Sequence, residues 1–371
     1  MATHTRLLPQ NATPIMLASA EANDPLSRLA GEYDTITAAW RNTPPDFMPF
    51  LVWQYGLGEL SSYLPNLYDL VPQGLRWQRV RGTPAAIAMG LSWVGYAATL
   101  HEDSPRRRKW NRFQIELDRI RDADLPDLRR IDGIVSLSPP LRSKFYRGFR
   151  GYDVRAAVTS FSRTSGTMLS SHSGVRIEAG KAKWSFGRAW SGDALLGQPE
   201  LAALGTWIPP VSESELWADA DSRWESADFP WGIPAAISRR NTIANALSAK
   251  AVYIRFDAAD GSVIGFRRAV IHPARRDVLG EYLIGADRWK AYPDDPTAVV
   301  VQARTGFGDG AGATAARVSV VFNPVLSPGV SPGKLWLAAS EAGAGVSVAQ
   351  TNLTIPFGLT VRELCRFTLR F

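Results

Sequence analysis

The chain is poor in the residues that most enzyme and metal sites are built from. It has one cysteine, Cys365, and four histidines, His4, His101, His172 and His272. A lone cysteine excludes an internal disulfide and a cysteine-based zinc site of the usual kind. No two histidines are spaced i, i+4 and no HExxH occurs, so a metal site would have to be assembled from distant segments. There is no GxSxG nucleophile motif. No apolar stretch approaches the ~18 residues of a membrane-spanning helix. Met1 to Arg6 is polar and leads into no long apolar run, so no secretory signal is expected. No cofactor, metal or membrane partner is expected.

At 371 residues the chain exceeds one core of ordinary size, and two or three domains are expected. The net charge of +7 makes nucleic acid the first partner to consider. The basic residues are dispersed, however, and the one run, Arg106-Arg107-Arg108-Lys109, follows Ser104-Pro105 at a helix start. It reads as a solvated or protein-docking surface, and no nucleic-acid partner is expected. Tryptophan (13) and proline (25) are the abundant types. Tryptophan suits cores and interfaces alike, and proline at this density implies short segments joined by rigid loops.

The texture changes near residue 150. Before it, helical spacing dominates. Leu26, Leu29, Tyr33, Ile36 and Trp40 share one helix face, which Pro44-Pro45 ends. Phe47 to Leu57 reads as a second helix. Gly82 to Tyr96 has the clearest start, with Thr83 as N-cap and Pro84 at the first helical position. Further helices are expected over Arg112 to Asp122 and, as a helix or turn, Leu125 to Leu137. After residue 150 the alternation is that of strands: Val154 to Val158, Val175 to Glu178, Ala251 to Phe256, Val263 to Ile271, Ala298 to Arg304, Arg317 to Phe322, Lys334 to Ala338 and Phe367 to Phe371. Asp260-Gly261 marks a hairpin, and residues 241 to 249 a short helix. The fold class is therefore α+β and multidomain: a mainly helical N-terminal region, then an antiparallel, sandwich-like β-rich region.

Candidate chemistry is weak throughout. His101-Glu102-Asp103 clusters metal-ligand types, but neighbours on one element point apart. Ser170-Ser171-His172-Ser173 precedes Gly174 and reads as a polar hairpin tip. Gly306 to Thr314 resembles a phosphate loop but lacks the Gly-Lys-Ser/Thr ending and leads into a strand, so it reads as a hairpin loop. Glu213 with Glu215, Asp219 with Asp221, and Asp294-Asp295 are carboxylate pairs of the type a glycosidase needs across a cleft, in stretches that read as solvated loops. Trp184 to Trp231 supplies either sugar-stacking platforms or core. No catalytic residue is assigned, and the chain is not expected to be an enzyme.

Two motifs carry no chemistry but are more telling. Leu7-Leu8-Pro9-Gln10-Asn11-Ala12-Thr13 and Arg81-Gly82-Thr83-Pro84-Ala85-Ala86-Ile87 together resemble the phage tail protein I family, baseplate wedge proteins of contractile-tailed phages. Trp40, Phe47 to Trp53, Pro140 to Ser143 and Tyr152 to Arg155 resemble later family segments, so the likeness spans roughly residues 6 to 155. One departure is Glu102-Asp103 and a basic run before Trp110, where the family has an acidic residue followed by tryptophan. The resemblance implies a structural subunit of the virion tail baseplate, assembled in the host cytoplasm. It would join a larger wedge protein, in two copies, through a shared helical bundle. Neighbouring wedges, the tail hub and a tail fibre or spike would be further partners. On that reading residues 1–40 form an assembly arm and bundle helix, 41–150 a helical wedge domain, and 151–371 a β-rich peripheral part of one or two domains. Leu7, Leu8, Pro9, Asn11, Arg81, Gly82 and Thr83 are the expected partner-binding residues, Arg81 pairing across the junction and Gly82 allowing close backbone approach. Phe367 and Leu369 lie on a strictly alternating strand that either pairs with a partner's edge or is an ordinary internal strand. The alternative function is a receptor- or carbohydrate-binding tail module on the tryptophan-rich β region.

Overall fold

The computed structural model describes residues 8–24, 31–32, 45–102, 110–154, 171–210, 235–343 and 345–371. Two compact units divide at Trp93 and Val94. The change of texture expected near residue 150 thus comes earlier.

The first unit holds four described helices: α1 (Pro14–Ala22), α2 (Met48–Gln54), α3 (Leu67–Val80) and α4 (Pro84–Trp93). Asn66 caps α3, its side-chain Oδ1 accepting the Tyr68 N–H at 3.1 Å. Leu70, Val71, Gly74 and Trp77 form the buried stripe of α3. Gly74 has no side chain because Leu57, fully buried, fills that space: an added Cβ would lie 2.8 Å from a Leu57 methyl. The helix expected over 26–40 lies largely outside the described residues.

The second unit is β-rich. Its strands are β1 (Ala98–Glu102), β2 (Arg112–Leu117), β3 (Lys144–Gly151), β4 (Lys183–Leu195), β5 (Val252–Asp257), β6 (Val263–Arg268), β7 (Val270–Arg276), β8 (Tyr282–Ile284), β9 (Asp287–Ala291), β10 (Ala298–Arg304), β11 (Thr314–Phe322), β12 (Val325–Leu326), β13 (Trp336–Ala338), β14 (Ala342–Gly343), β15 (Val346–Pro356) and β16 (Val361–Arg370). Its helices are α5 (Asp127–Leu137), α6 (Gln198–Ala203) and α7 (Ala235–Ser248). Nine strands form one sheet in the order β1-β2-β3-β4-β16-β10-β7-β9-β8, and five form another in the order β13-β6-β5-β11-β15. The main core lies between them. Val299, Val301 and Ala303 of β10 and Cys365, Phe367 and Leu369 of β16 meet Ile254 and Phe256 of β5 and Val318 and Val320 of β11. Ile243, Ala244 and Leu247 of α7 join the same cluster.

The α+β, β-rich architecture is the expected one, with five departures. First, the large sheet is mixed rather than antiparallel, because β2, β3, β4 and β16 run parallel to their neighbours in that series. Second, the helix expected over 112–122 is strand β2. Phe113, Ile115 and Leu117 alternate inward, and β1 and β3 bond both its edges. Third, Val175 to Glu178 is no strand. Val175 makes a single bridge to Trp184, and from Phe186 onward that edge of β4 belongs to β16. Fourth, Val263 to Ile271 is split: β6 lies in the small sheet and β7 in the large one.

The fifth departure concerns Phe367 and Leu369. Strand β16 is central, bonded in parallel to β4 and antiparallel to β10. Phe367 is 1% exposed and Leu369 is fully buried. Neither offers an edge or a side chain to a partner, and the internal-strand reading holds. Asp260-Gly261 does turn a hairpin between β5 and β6, with the Gly261 N–H donating to the Ala258 carbonyl at 3.0 Å.

Candidate assembly surfaces

The N-terminal motif builds a small, outward-facing device. The Ala12 N–H donates to the Pro9 carbonyl at 3.0 Å, forming a turn. Thr13 is extended (φ −72°, ψ 155°), and its hydroxyl accepts the Met16 N–H at 3.4 Å. Pro14 follows at the first helical position, where its missing N–H costs nothing. Asn23 closes the other end through its backbone and side-chain N–H groups on the Ser19 carbonyl. Leu8 is half-buried, Pro9 and Asn11 are exposed, and Leu7 lies outside the described residues.

Helix α1 is thus well started and well stopped, yet none of its residues is buried. Ile15 is 81% exposed, and Met16 and Leu17 are also open. A nine-residue helix is marginal alone in water, and covering each such side chain is worth about 1.5–3 kcal/mol. The segment has the composition of something that is stabilised by being covered.

The second motif forms a corner within the first unit. The Arg81 guanidinium lies 5.2 Å from the Trp77 ring centroid, a cation–π contact. Gly82 has φ +91° and no atom within 4 Å of an added Cβ. The glycine serves the left-handed turn, and the space beside it is open. The Thr83 hydroxyl donates to the Val80 carbonyl at 2.7 Å, and its own carbonyl accepts the Ala86 N–H at 3.1 Å. A separate feature of this unit is an aromatic ridge at the start of α2 and along it. Phe47, Phe50 and Trp53 are exposed, the last by 83%, while Met48, Leu51 and Val52 turn inward. The rings of Phe47 and Phe50 lie 6.2 Å apart.

Among the described residues, the groups that the sequence offered as candidate chemistry are held in structural contacts. His101 pairs with Glu116 at 3.1 Å across β1 and β2, and Asp103 lies outside the described residues. Among the described residues no three His, Cys, Asp or Glu side chains gather as metal ligands, and no helix is long and apolar enough to cross a membrane. Asp295 accepts from Arg240 at 2.8 Å and Arg275 at 2.6 Å; the carboxylates from Glu213 to Asp221 lie outside the described residues, as do Trp217, Trp224 and Trp231. Trp184 is buried and Trp207 packs against the main core, so neither is an open platform. The Gly306 to Thr314 segment is no hairpin loop, since it carries the chain from β10 in one sheet to β11 in the other. Asp309 pins it, accepting from the Gly306 N–H at 2.6 Å and from Arg267 at 2.9 Å.

Ser173 is not a hairpin tip either. It belongs to a buried polar network that the sequence did not signal. Arg147 on β3 is fully buried. It donates to the Ser173 carbonyl at 2.7 Å, to Gln114 Oε1 at 2.9 Å and to Asp153. The hydroxyls of Ser173 and Ser185 donate to the same Asp153 oxygen at 3.0 and 2.9 Å. Burial pushes the Asp153 carboxyl up, but the Arg147 charge and these hydrogen bonds outweigh it and hold the group below the usual carboxylate range. The bonds to Asp153 all fall on its Oδ1, and Oδ2 is buried without a hydrogen-bond partner among the described residues; a network joined at so many points fixes structure.

Cys365 is fully buried on β16, and burial pushes its thiol well above the usual range. The native protein should therefore resist iodoacetamide at pH 8 and be labelled only after denaturation. Rapid stoichiometric labelling of folded protein, read by mass spectrometry, would contradict this burial.

Residues 8–142 match the family model described as Phage tail protein (Tail_P2_I), the family that the two motifs resemble. The matched region runs from the N-terminal turn through α5, and the family supports a structural role in a phage tail. No curated protein matches the chain.

Proposed function

From the family match over residues 8–142, we propose that this chain is a structural subunit of the baseplate wedge of a contractile phage tail, without catalytic activity. In this reading the N-terminal arm docks on a larger wedge protein, in two copies, and the β-rich part faces neighbouring wedges, the tail hub and a fibre or spike. The observation that carries the arm's role is α1, a capped helix whose apolar residues are all uncovered. Burying what remains exposed of Ile15, Met16 and Leu17 (81%, 49% and 38%) on a partner would supply about 2.5–5 kcal/mol of gross driving force at 1.5–3 kcal/mol per fully covered side chain, before ordering costs. The ridge of Phe47, Phe50 and Trp53 is a second surface suited to a helical partner. Leu8, Pro9 and Asn11 stand at the entrance to α1, whereas Arg81, Gly82 and Thr83 act by setting the angle between α3 and α4.

Co-expression with the larger wedge protein, followed by light scattering, tests this. The wild-type chain should elute in a stable hetero-oligomer. Ile15→Ser/Met16→Ser/Leu17→Ser should leave the circular dichroism spectrum and melting temperature nearly unchanged, because these side chains are already exposed, and should abolish the complex. Undiminished complex formation by the triple variant would remove α1 from the interface. The rival reading, a carbohydrate-binding module, is weakened by the covered positions of Trp184 and Trp207; glycan binding by the whole protein would revive it.

A further inference from the structure

Three arginines on the nine-stranded sheet stand together, and none of them has an ion-pair partner among the described residues. On β10, Arg304 is in register with Leu364 of β16. Arg362 and Arg366 are therefore its diagonal neighbours on the same face, with Cα atoms roughly 7–8 Å away. Aromatic rings hold the guanidinium groups in place. Arg304 and Arg362 share the Tyr152 ring, at 5.5 and 5.2 Å from its centroid. Arg362 also lies 4.5 Å from the centroid of Phe307, and Arg366 lies 5.9 Å from that of Tyr282.

Among the described residues no carboxylate forms an ion pair with any of the three. Asp153 is close enough to attract Arg362, but Arg147, Ser173 and Ser185 already engage it. Arg362 donates once to the Ser173 hydroxyl at 3.0 Å, while its buried Nε has no partner. Arg366 donates to Gln302 at 3.0 Å, and Arg304 makes no hydrogen bond among the described residues. Other arginines in this unit do have carboxylate partners: Arg188 has Glu363, Arg267 has Asp309 and Arg370 has Asp193. Gathering three unmatched cations, two of them half-buried, is unfavourable unless something negative joins them. Both the ring-held orientation and the free N–H groups suit an oxyanion, which a guanidinium fork meets with two parallel hydrogen bonds.

We propose that Arg304, Arg362 and Arg366, framed by Tyr152, Phe307 and Tyr282, form a binding site for a phosphate-class dianion, either free phosphate or a phosphomonoester. Charge decides for a dianion: a single carboxylate would leave two of the three cations unbalanced. The site belongs to the β-rich unit and does not depend on the wedge assignment.

Isothermal titration calorimetry of the full chain with inorganic phosphate, in chloride buffer of matched ionic strength, tests the site. Saturable binding at one site is expected. Arg304→Gln and Arg366→Gln should each weaken it by about tenfold, the loss of one charge-assisted hydrogen bond. Arg79→Gln, in the other unit, should leave it unchanged. A parallel titration with glucose 1-phosphate separates the sources: tighter binding than phosphate assigns a phosphomonoester, weaker binding the free ion. Absence of saturable binding of either probe overturns the proposal, and so does equal binding by wild type and both variants with native circular dichroism.

Discussion

Replacing Arg147 with methionine is expected to destabilise the β-rich unit by about 3–5 kcal/mol at pH 7, the range for breaking a buried pair from one side. The side chain is fully buried and joins β3 to Gln114 of β2, to Ser173 and to Asp153. Methionine fills much of the volume but takes the ion-pair partner from the buried Asp153 carboxylate, which keeps only the weaker attraction of Arg362. The pH dependence distinguishes this cause from simple loss of packing. In the wild type the folded-state pKa of Asp153 is lowered. Its contribution is therefore present above the ordinary carboxylate value, about 3.9, and is lost as pH falls through the lower, folded value. In Arg147→Met the Ser173 and Ser185 hydrogen bonds remain, but the Arg147 contributions that lowered the folded pKa are gone, so that pKa rises above its wild-type value. The variant's deficit should shrink as pH falls through that raised value. Urea unfolding at pH 7 and pH 5 measures it, and a deficit that is the same at both pH values would assign the loss to packing. Adding Asp153→Asn should restore part of the stability at pH 7.

The second large effect is expected at Gly151, where β3 ends against β4. Its φ is +74°, and a Cβ there would overlap the carbonyl oxygen of Gly187, its register partner. The obstacle is backbone in the middle of a sheet, which no rotamer change can move. Gly261 of the same unit provides the comparison: φ is +84°, with nothing within 4 Å of an added Cβ. Gly261→Ala should cost only the conformational term, about 1–2 kcal/mol. Gly151→Ala adds the separation of β3 from β4 and should cost at least twice as much, with lower soluble yield. Equal melting temperatures for the two variants would show that the sheet absorbs the extra methyl group.

The contrast between these sites and the N-terminal motif explains what the sequence made legible. Caps and turns are local: the Asp260-Gly261 hairpin is legible directly, and Thr13 and Asn66 cap helices by the same local rules although neither is among the expected caps, whereas Thr83, the expected N-cap, turns its hydroxyl to the Val80 carbonyl. The strand over Ala298–Arg304 was readable because it opens on the run Ala298-Val299-Val300-Val301, rich in β-branched residues. By contrast, Phe113 and Leu117 fit a helix and a strand equally well until β1 and β3 are known to flank them. Phe367 and Leu369 announced a strand, but whether a strand is an edge or a centre depends on segments far away in the chain. Arg147 sits in Lys144-Phe145-Tyr146-Arg147, where it looks like a surface charge. Its partners lie 6, 26 and 33 residues away, so nothing local marks it as buried. The assembly residues divide the same way. The exposure of α1 follows from its own apolar sequence and lack of cover, while the role of Gly82 needed the backbone angle.

The place of β16 has a consequence for how the protein is made. Arg188 on β4 and Glu363 on β16 are 175 residues apart in sequence, yet they face each other across adjacent strands. At synthesis rates of 5–20 residues per second, about 9–35 seconds separate the two strands on the ribosome. Through that interval β1 to β4 wait with an open edge, and β10 waits on the far side of the gap. The large sheet therefore closes late, by the slow, long-range route. Its first four strands need protection from other chains until β16 arrives to join them to the rest.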